Sequence, residues 1–586
     1  MNETSLSDID KQILWNRLIS IVEEQAQTLM RTAFNPIVRE SGDLSAGIFD
    51  IQGRMIAQAV TGTPGHINTM AQSVGHFLEY FSLEEMHPED IYLTNDPWKA
   101  AGHLNDFMLV RPCFHENNLV GFTSCTSHLA DIGGLGFGPD GTDVLDEGLY
   151  IPIFKLVDAG RLDQTFLTIL KANSRVPVEV EGDIYALIAC VECGSQRLSE
   201  CMGDFDVANI EEISNYIIET SRNSTRDRIR ELKDGSYSFE MRVDGYDKPL
   251  DLVAKLTINN GGIEVDFKGT SGLSRYGINC PINYASAYTC FALKCAIAPD
   301  VPNNHGSIEP MKIVAPKGCI LNAQFPVPVA MRHVVGQLLP DVIFGCIHQV
   351  ISGIVPAEGT CCLWDLPLRG GYSVESGIDS TKFAIELVHN GGTGARPTKD
   401  GLSATSFPSG VMGSLVEITE SVSPLIIWRR EYRENSGGAG KQRGGMGQII
   451  ELSSSEDSDI SLFVAVDRVN HVARGREHGK EGAAGSLSLT SGKILKSKGE
   501  QIIPAGEKLT VLTPGGGGYG DPLERKPSAV FNDVRSGLVD FDNAEKKYGI
   551  IFDSNGDFRF TKARKIYSGL DPVSYTHLTL PTILLV

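Results

Sequence analysis

His103-Leu104-Asn105-Asp106 and His128-Leu129-Ala130-Asp131 repeat one pattern, His-x-x-Asp, inside the single stretch 95–138. Imidazole and carboxylate together are the ligand set of Zn, Mn and Fe(II) sites. Between the two copies, residues 107–114 and 119–125 are short apolar runs rich in aromatic and β-branched side chains, and His115-Glu116-Asn117-Asn118 supplies a turn. The spacing predicts an antiparallel hairpin centred on Asn117. In that register Asp106 faces His128 and His103 faces Asp131, and opposed residues of a hairpin hold their Cβ atoms ~4.5–5.5 Å apart. Two imidazoles and two carboxylates then meet at the open end, beside Gly133 and Gly134, where backbone can approach a ligand closely. The competing reading gives each His and Asp a local backbone group to cap. A mirrored pair across one turn favours the metal.

Other motifs are weaker. His66 stands in a Gly62-Thr63-Pro64-Gly65-His66 loop before a helix, a place suited to a ligand contact or simply to fixing the loop. Cys190-Val191-Glu192-Cys193 has dithiol spacing, but 184–202 reads as one continuous helix using cysteine as a small apolar residue. Gly440-Lys441 tempts a phosphate-loop reading that fails on Asn435 and Gln442, which stand where glycine and a hydroxyl residue belong. Residues 133–138 fail as a dinucleotide fingerprint because no helix pattern follows. Most glycine in 389–401, 433–445 and 513–522 is expected to form turns, while Arg396, Lys399, Lys441 and Arg443 could cradle an anion.

The elements that must position these residues follow from periodicity. Residues 7–34 read as a helix capped by Ser7, 46–50 and 54–60 as a hairpin, and 68–80 as a helix. Further on, 150–156 reads as a strand, and 163–173, 184–202 and 210–232 as helices. From Ser236 the texture is β: strands at 236–243, 252–258, 262–267, 311–314 and 319–321, with helices at 284–297 and 334–355 and a strand at 383–388. The fold class is therefore α+β and multidomain, with mixed and antiparallel sheets, flanking helices and a glycine-rich C-terminal β region. Boundaries are expected at 1–234, 235–360 and 361–570.

The 586 residues carry a formal charge of −21, with 41% hydrophobic and 21% charged residues. That balance excludes nucleic acid as a partner, which demands a basic stripe, and disfavours an anionic membrane surface. The acidic N-terminus lacks signal-peptide character, and no apolar run reaches the ~20 residues of a membrane helix. The 12 cysteines, several in apolar runs (Cys290, Cys295, Cys346), read as reduced buried thiols. A cytoplasmic enzyme or enzyme subunit is expected.

Several motifs together resemble the hydantoinase B/5-oxoprolinase family of ATP-dependent enzymes, which includes the α subunits of acetone-type carboxylases. They are Glu40-Ser41-Gly42-Asp43-Leu44-Ser45-Ala46-Gly47-Ile48-Phe49-Asp50, Asn95-Asp96-Pro97, Gly102-His103-Leu104-Asn105-Asp106, Ser127-His128-Leu129-Ala130-Asp131-Ile132-Gly133-Gly134, Gly437-Gly438-Ala439-Gly440 and Pro514-Gly515-Gly516-Gly517-Gly518-Tyr519-Gly520. The resemblance implies a hetero-oligomer in which ATP is held by a separate hydantoinase A-type chain that activates a small-molecule substrate. The hydantoinase B-type chain then hydrolyses or carboxylates it at a divalent metal (Mn, Zn or Fe). By the same resemblance His103, Asp106 and His128 are the metal ligands, with Asp131 a fourth ligand or a group behind them.

On this reading Asp131 or Asp96 orients an imidazole or takes a proton from water, and His66 contacts the reacting groups. Arg332, His333 and Arg396 hold carboxylate or phosphate. Ring opening of a cyclic imide or lactam is the expected reaction; an acetone-type carboxylase α subunit, or a metal-stabilised scaffold without catalysis, are the rivals. The last residues, 571–586, break the pattern with abrupt apolar content and are expected to be a non-native tail, with no ligand role for His577.

Overall fold

The computed structural model describes residues 6–60, 63–371, 381–553 and 557–567. The expected tail at 571–586 and Gly62 lie outside them. The first sheet holds β1 (Leu44–Phe49), β2 (Met55–Gln58), β3 (Ile91–Thr94), β4 (Asp106–His115), β5 (Asn118–His128), β6 (Phe154–Asp158) and β7 (Arg161–Leu162), in the order β2-β1-β5-β4-β3-β6-β7. Every pairing is antiparallel. Helices Asp8–Thr32 and Pro177–Asp204 cover one face, and Pro64–Tyr80 covers the other. Along β4, Phe107 and Leu109 join the first layer while Met108 and Val110 join the second. Both faces are covered, so the central strands read as unbroken apolar runs and not as an apolar–polar alternation.

Local chemistry accounts for the helix ends. Ser7 accepts from the Asp10 amide at 3.2 Å and caps the first helix, as expected. The second helix starts earlier than its apolar period suggested: Thr63 caps it, Pro64 opens it, and His66 lies in its first turn instead of a loop. The strand expected at 150–156 is shifted to Phe154–Asp158. Its first residues are used elsewhere, because Asn95 Oδ1 accepts the Ile151 amide at 2.7 Å and Thr94 Oγ1 donates to the Ile151 carbonyl at 2.9 Å.

The second sheet, β8 (Gly235–Val243), β9 (Leu250–Asn259), β10 (Gly262–Asp266) and β11 (Met311–Val314), is mixed, with β10 and β11 parallel. Helices Ile282–Ile297 and Leu339–Val350 back it, and its core is shared across Lys233: Met70 and Phe77 pack in one cluster with Leu252, Leu293 and Val342. The single helix expected over 334–355 is instead His333–Gly336 followed by Leu339–Val350, because Pro340 cannot continue a helix and opens the second one. Residues 319–321 form a turn with one bridge, Gly272 to Cys319, in place of a strand. Cys295, expected to be buried, is exposed on the helix surface, whereas Cys290 and Cys346 are buried.

The C-terminal strands are β12 (Trp364–Gly370), β13 (Phe383–His389), β14 (Leu425–Tyr432), β15 (Gln448–Ser454), β16 (Ile460–Ala465), β17 (Ser486–Leu489), β18 (Lys498–Ile503) and β19 (Leu509–Leu512). They make two four-stranded sheets, β13-β12-β16-β18 and β14-β15-β19-β17, around one apolar core. The glycine runs between them are not the turns their composition suggested. Gly392, Gly438, Gly445, Gly516, Gly517 and Gly518 lie outside the left-handed region. They donate to chains passing alongside: Gly392 N to Pro514 O (3.0 Å), Gly445 N to Thr393 O (2.9 Å), Gly516 N to Gly445 O (3.0 Å) and Gly438 N to Gly516 O (2.8 Å). A Cβ on Gly392 would drive into the Gly445 carbonyl, and one on Gly516 into the Thr393 carbonyl. The glycines make a sheaf of backbones packed directly on one another.

Candidate metal centre

The predicted hairpin forms with its predicted register. Asp106 pairs with His128, Phe107 with Ser127 and so on to Cys113 with Gly121, before a bulge shifts the last two pairs. Glu116 and Asn117 turn the chain at positive φ. β4 begins at Asp106 and β5 ends at His128, so both functional side chains stand at the open end of the two central strands. His103 arrives from the loop before β4, which is pinned by Asn95 Nδ2 donating to the Leu104 carbonyl at 2.8 Å.

Asp106, fully buried, is the hub. His103 Nε2 lies 2.7 Å from its Oδ1, His128 Nδ1 3.3 Å from the same oxygen, and His66 Nε2 2.9 Å from Oδ2. The Arg332 guanidinium also reaches Oδ2 and donates through Nε to the Ala101 carbonyl at 2.7 Å. Burial works against charge on Asp106, but His103, His66 and Arg332 hold its carboxyl well below the ordinary range. His128 Nε2 meets Glu386 Oε2 at 3.1 Å, and His66 Nδ1 lies 3.6 Å from Asp43 Oδ1. Burial opposes a proton on His128, yet Glu386 and Asp106 push it up to about 10. Burial and the neighbouring Arg332 bring His103 down to about 4 and His333 to about 3.

These contacts fit a cation. His103 Nδ1 faces the Ala330 carbonyl at 2.9 Å; a carbonyl only accepts, so Nδ1 carries the hydrogen. In the neutral ring Nε2 is then unprotonated, and it lies 2.7 Å from Asp106 Oδ1 without a hydrogen-bond partner. A buried, unpartnered nitrogen lone pair beside a carboxylate is a donor set that suits a cation. Ligand atoms of His103, Asp106 and His128 all lie within 4.8 Å of one another. Ligands at ~2.0–2.3 Å from one ion reach nearly that separation. The cavity there, about 30 Å³, is lined by His66, His103, His128, His333, Arg332 and Glu386 among others. It has room for an ion and a water.

The other expected residues lie apart from this hub. The Asp131 carboxylate accepts from Arg175 Nη1 at 2.7 Å and from the Arg175 backbone amide, so the mirrored pairing of His103 with Asp131 is not made. Asp96 accepts from the Trp98 amide at 3.0 Å and from the Tyr150 hydroxyl at 2.8 Å. Arg396 donates to the Asp400 carbonyl at 2.8 Å, inside the glycine sheaf. Arg332, by contrast, is brought to the centre.

Sequence reasoning missed the acidic wall opposite the histidines. Asp365 on β12 and Glu386 on β13 are diagonal neighbours, Asp365 pairing with Val388 and Glu386 with Pro367. Burial, and then Glu386, push Asp365 far above its ordinary range. Against burial, His128 and Asp365 hold Glu386 down at about 2. Their one signal was a carboxylate inside an apolar strand. Asp43 lay in a quoted motif without a role, and Phe137, which packs against His128 with ring centroids 4.9 Å apart, had no signal at all.

A family model described as hydantoinase B/oxoprolinase matches residues 7–522. The chain belongs to the hydantoinase B/oxoprolinase family. A protein of a Pseudomonas strain, provisionally named as the B component of a D-/L-hydantoinase, is 30% identical over 96% of this chain and 99% of its own length. Among solved structures, an ATP-dependent caprolactamase from Pseudomonas jessenii superposes with a TM-score of 0.86 at 24% identity, covering 96% of this chain and 99% of that one. A nucleotide-free acetone carboxylase gives 0.84 at 20% identity over 95% and 82%. The two structures confirm the multidomain α+β fold. Among the described residues, no helix is long and apolar enough to cross a membrane.

Proposed function

We propose that this chain is the metal-binding, hydrolytic subunit of an ATP-dependent cyclic amide hydrolase. On this reading an A-type partner binds ATP and activates a lactam or cyclic imide, and the ring opens at the Asp106 cluster. Family membership, a relative named as a hydantoinase component and the likeness to an ATP-dependent caprolactamase support this. The observation that carries the reading is the unprotonated, unpartnered Nε2 of His103, 2.7 Å from a buried carboxylate and beside His128. His103, Asp106 and His128 would hold the ion. When bound, a divalent cation of this kind acidifies water and polarises a substrate oxygen.

The chain's own groups have separable tasks. Arg332 neutralises Asp106 and leaves the carboxylate aimed at the histidines. His66, between Asp106 and Asp43, would take a proton from water or return one to a departing nitrogen. The Asp365–Glu386 pair closes the far wall and bears on His128. Asp131 and Asp96 act at a distance, by fixing the loops on either side of His128 and His103. Arg396 is assigned no substrate contact.

The test is metal content together with coupled turnover. The chain, purified with its A-type partner, is expected to retain a divalent metal and to hydrolyse ATP in proportion to added cyclic amide. His128→Ala should lose both while keeping its fold; full metal occupancy in that variant would overturn the assignment. A parallel reaction with bicarbonate and a ketone separates hydrolysis from carboxylation. ATP hydrolysis that never responds to any substrate, with metal affecting only thermal stability, would leave a scaffold.

A further inference from the structure

Behind the centre, a second buried carboxyl governs how His103 is held. Glu147 follows the short turn Val144–Asp146 and is 3% exposed. Its Oε1 accepts two consecutive backbone amides, Val329 N at 2.7 Å and Ala330 N at 2.8 Å. The next amide, Met331 N, donates to the Gly277 carbonyl at 2.7 Å. That amide shares a peptide plane with the Ala330 carbonyl and points the opposite way. The carbonyl is therefore pinned toward His103, whose Nδ1 hydrogen it accepts at 2.9 Å. One residue further on, the same stretch delivers Arg332 to Asp106. Space has been kept for the contact, since a Cβ on Gly277 would come within 2.8 Å of Glu147 Oε1.

We propose that Glu147 is a positioning residue: by fixing the 329–332 backbone it sets the tautomer and the aim of His103. It touches neither the proposed ion nor substrate. What the loop requires from it is an oxygen able to accept two amides, not a negative charge, and burial indeed pushes this carboxyl well above its ordinary range. Groups that orient a ligating imidazole in this way typically contribute about 10–100-fold in metal affinity.

This inference rests on the metal reading of the site, and the test separates the two. Mn²⁺ affinity by calorimetry and the visible spectrum of the Co²⁺-loaded full chain are measured for the wild type, Glu147→Gln, Glu147→Ala and His128→Ala. Glu147→Ala is expected to bind about 10–100-fold more weakly with an altered Co²⁺ spectrum, and Glu147→Gln to stay near the wild type. Wild-type affinity and spectrum in Glu147→Ala, even with a lowered melting temperature, would reduce Glu147 to a packing role while leaving the metal site standing. Glu147→Gln as weak as Glu147→Ala would overturn the acceptor role. Undiminished binding in His128→Ala would remove the site itself. If Glu147→Ala fails to fold, Glu147→Asp, too short to reach both amides, decides by the same spectrum and affinity.

Discussion

The hairpin centre and the glycine sheaf solve opposite problems with the same backbone. At the hairpin, local pairing through a tight turn sets the register, and side chains from β4 and β5 carry the chemistry. In the sheaf, segments 390–402, 436–447, 473–485 and 514–520 meet from far apart in sequence. There the absence of side chains carries the structure, because each glycine lets a neighbouring carbonyl approach to hydrogen-bonding distance. One region tolerates loss of a side chain but not of its chemistry. The other tolerates no addition.

Adding a methyl group should therefore do more damage than deleting an imidazole. Gly516→Ala would place Cβ against the Thr393 carbonyl and the Gly394 amide, backbone atoms held by their own bonds. A loss of at least about 4 kcal/mol is expected, enough to leave little folded protein, readable as a collapse of the denaturant midpoint. A wild-type midpoint would dissolve the distinction between the two regions.

Against the sheaf, where Gly517 N donates to the Glu358 carbonyl at 2.8 Å, lies a buried ionic joint that should rank next. Arg468, 1% exposed, reaches Asp341 at 3.0 Å and Glu358 at 3.2 Å. Arg468→Met leaves buried Asp341 without its cation, while Glu358 keeps Arg474, at about 3–5 kcal/mol. Burial already raises Asp341 to about 6 although Arg468 opposes it, and removing the guanidinium raises it further. A carboxyl whose folded pKa exceeds its unfolded value holds its proton preferentially when folded, so stability falls as pH rises between the two values. The deficit in Arg468→Met should thus be larger at pH 8 than at pH 5, and thermal melts at both pH values check the sign. Smaller still in stability is His128→Ala, expected to melt within about 2 kcal/mol of the wild type while its metal affinity falls by well over 100-fold.

How much could be read in the sequence follows from the range of the interactions. The β4–β5 register was legible because a short apolar–turn–apolar pattern contains its own partner, and it brought Asp106 to His128 correctly. It misled at Asp131, whose partner Arg175 belongs to a distant connection between helices. Glu386 and Asp365 were illegible as site residues because β12 and β13 reach the histidines only through tertiary packing. The glycine runs were visible yet misread as turns: composition reports that Cβ is excluded, not whether a tight turn or a passing chain excludes it. Pro340 was in plain sight inside an apolar period, and its missing donor decided the helix break.

The smallest prediction uses the same chemical change as the largest, with the opposite sign. Gly75 lies within the Pro64–Tyr80 helix that carries His66 in its first turn, and a Cβ built on it meets nothing within 4 Å. Glycine in a helix interior spends backbone entropy that alanine does not, so Gly75→Ala should stabilise by about 0.5–1 kcal/mol. Metal affinity should be unchanged, since residue 75 is more than two turns from His66. A destabilised Gly75→Ala protein would mean that helical glycine here, too, is excluded space. If Gly75→Ala gains stability where Gly516→Ala loses the fold, the methyl group itself is neutral, and what separates the two regions is whether another backbone already occupies its place.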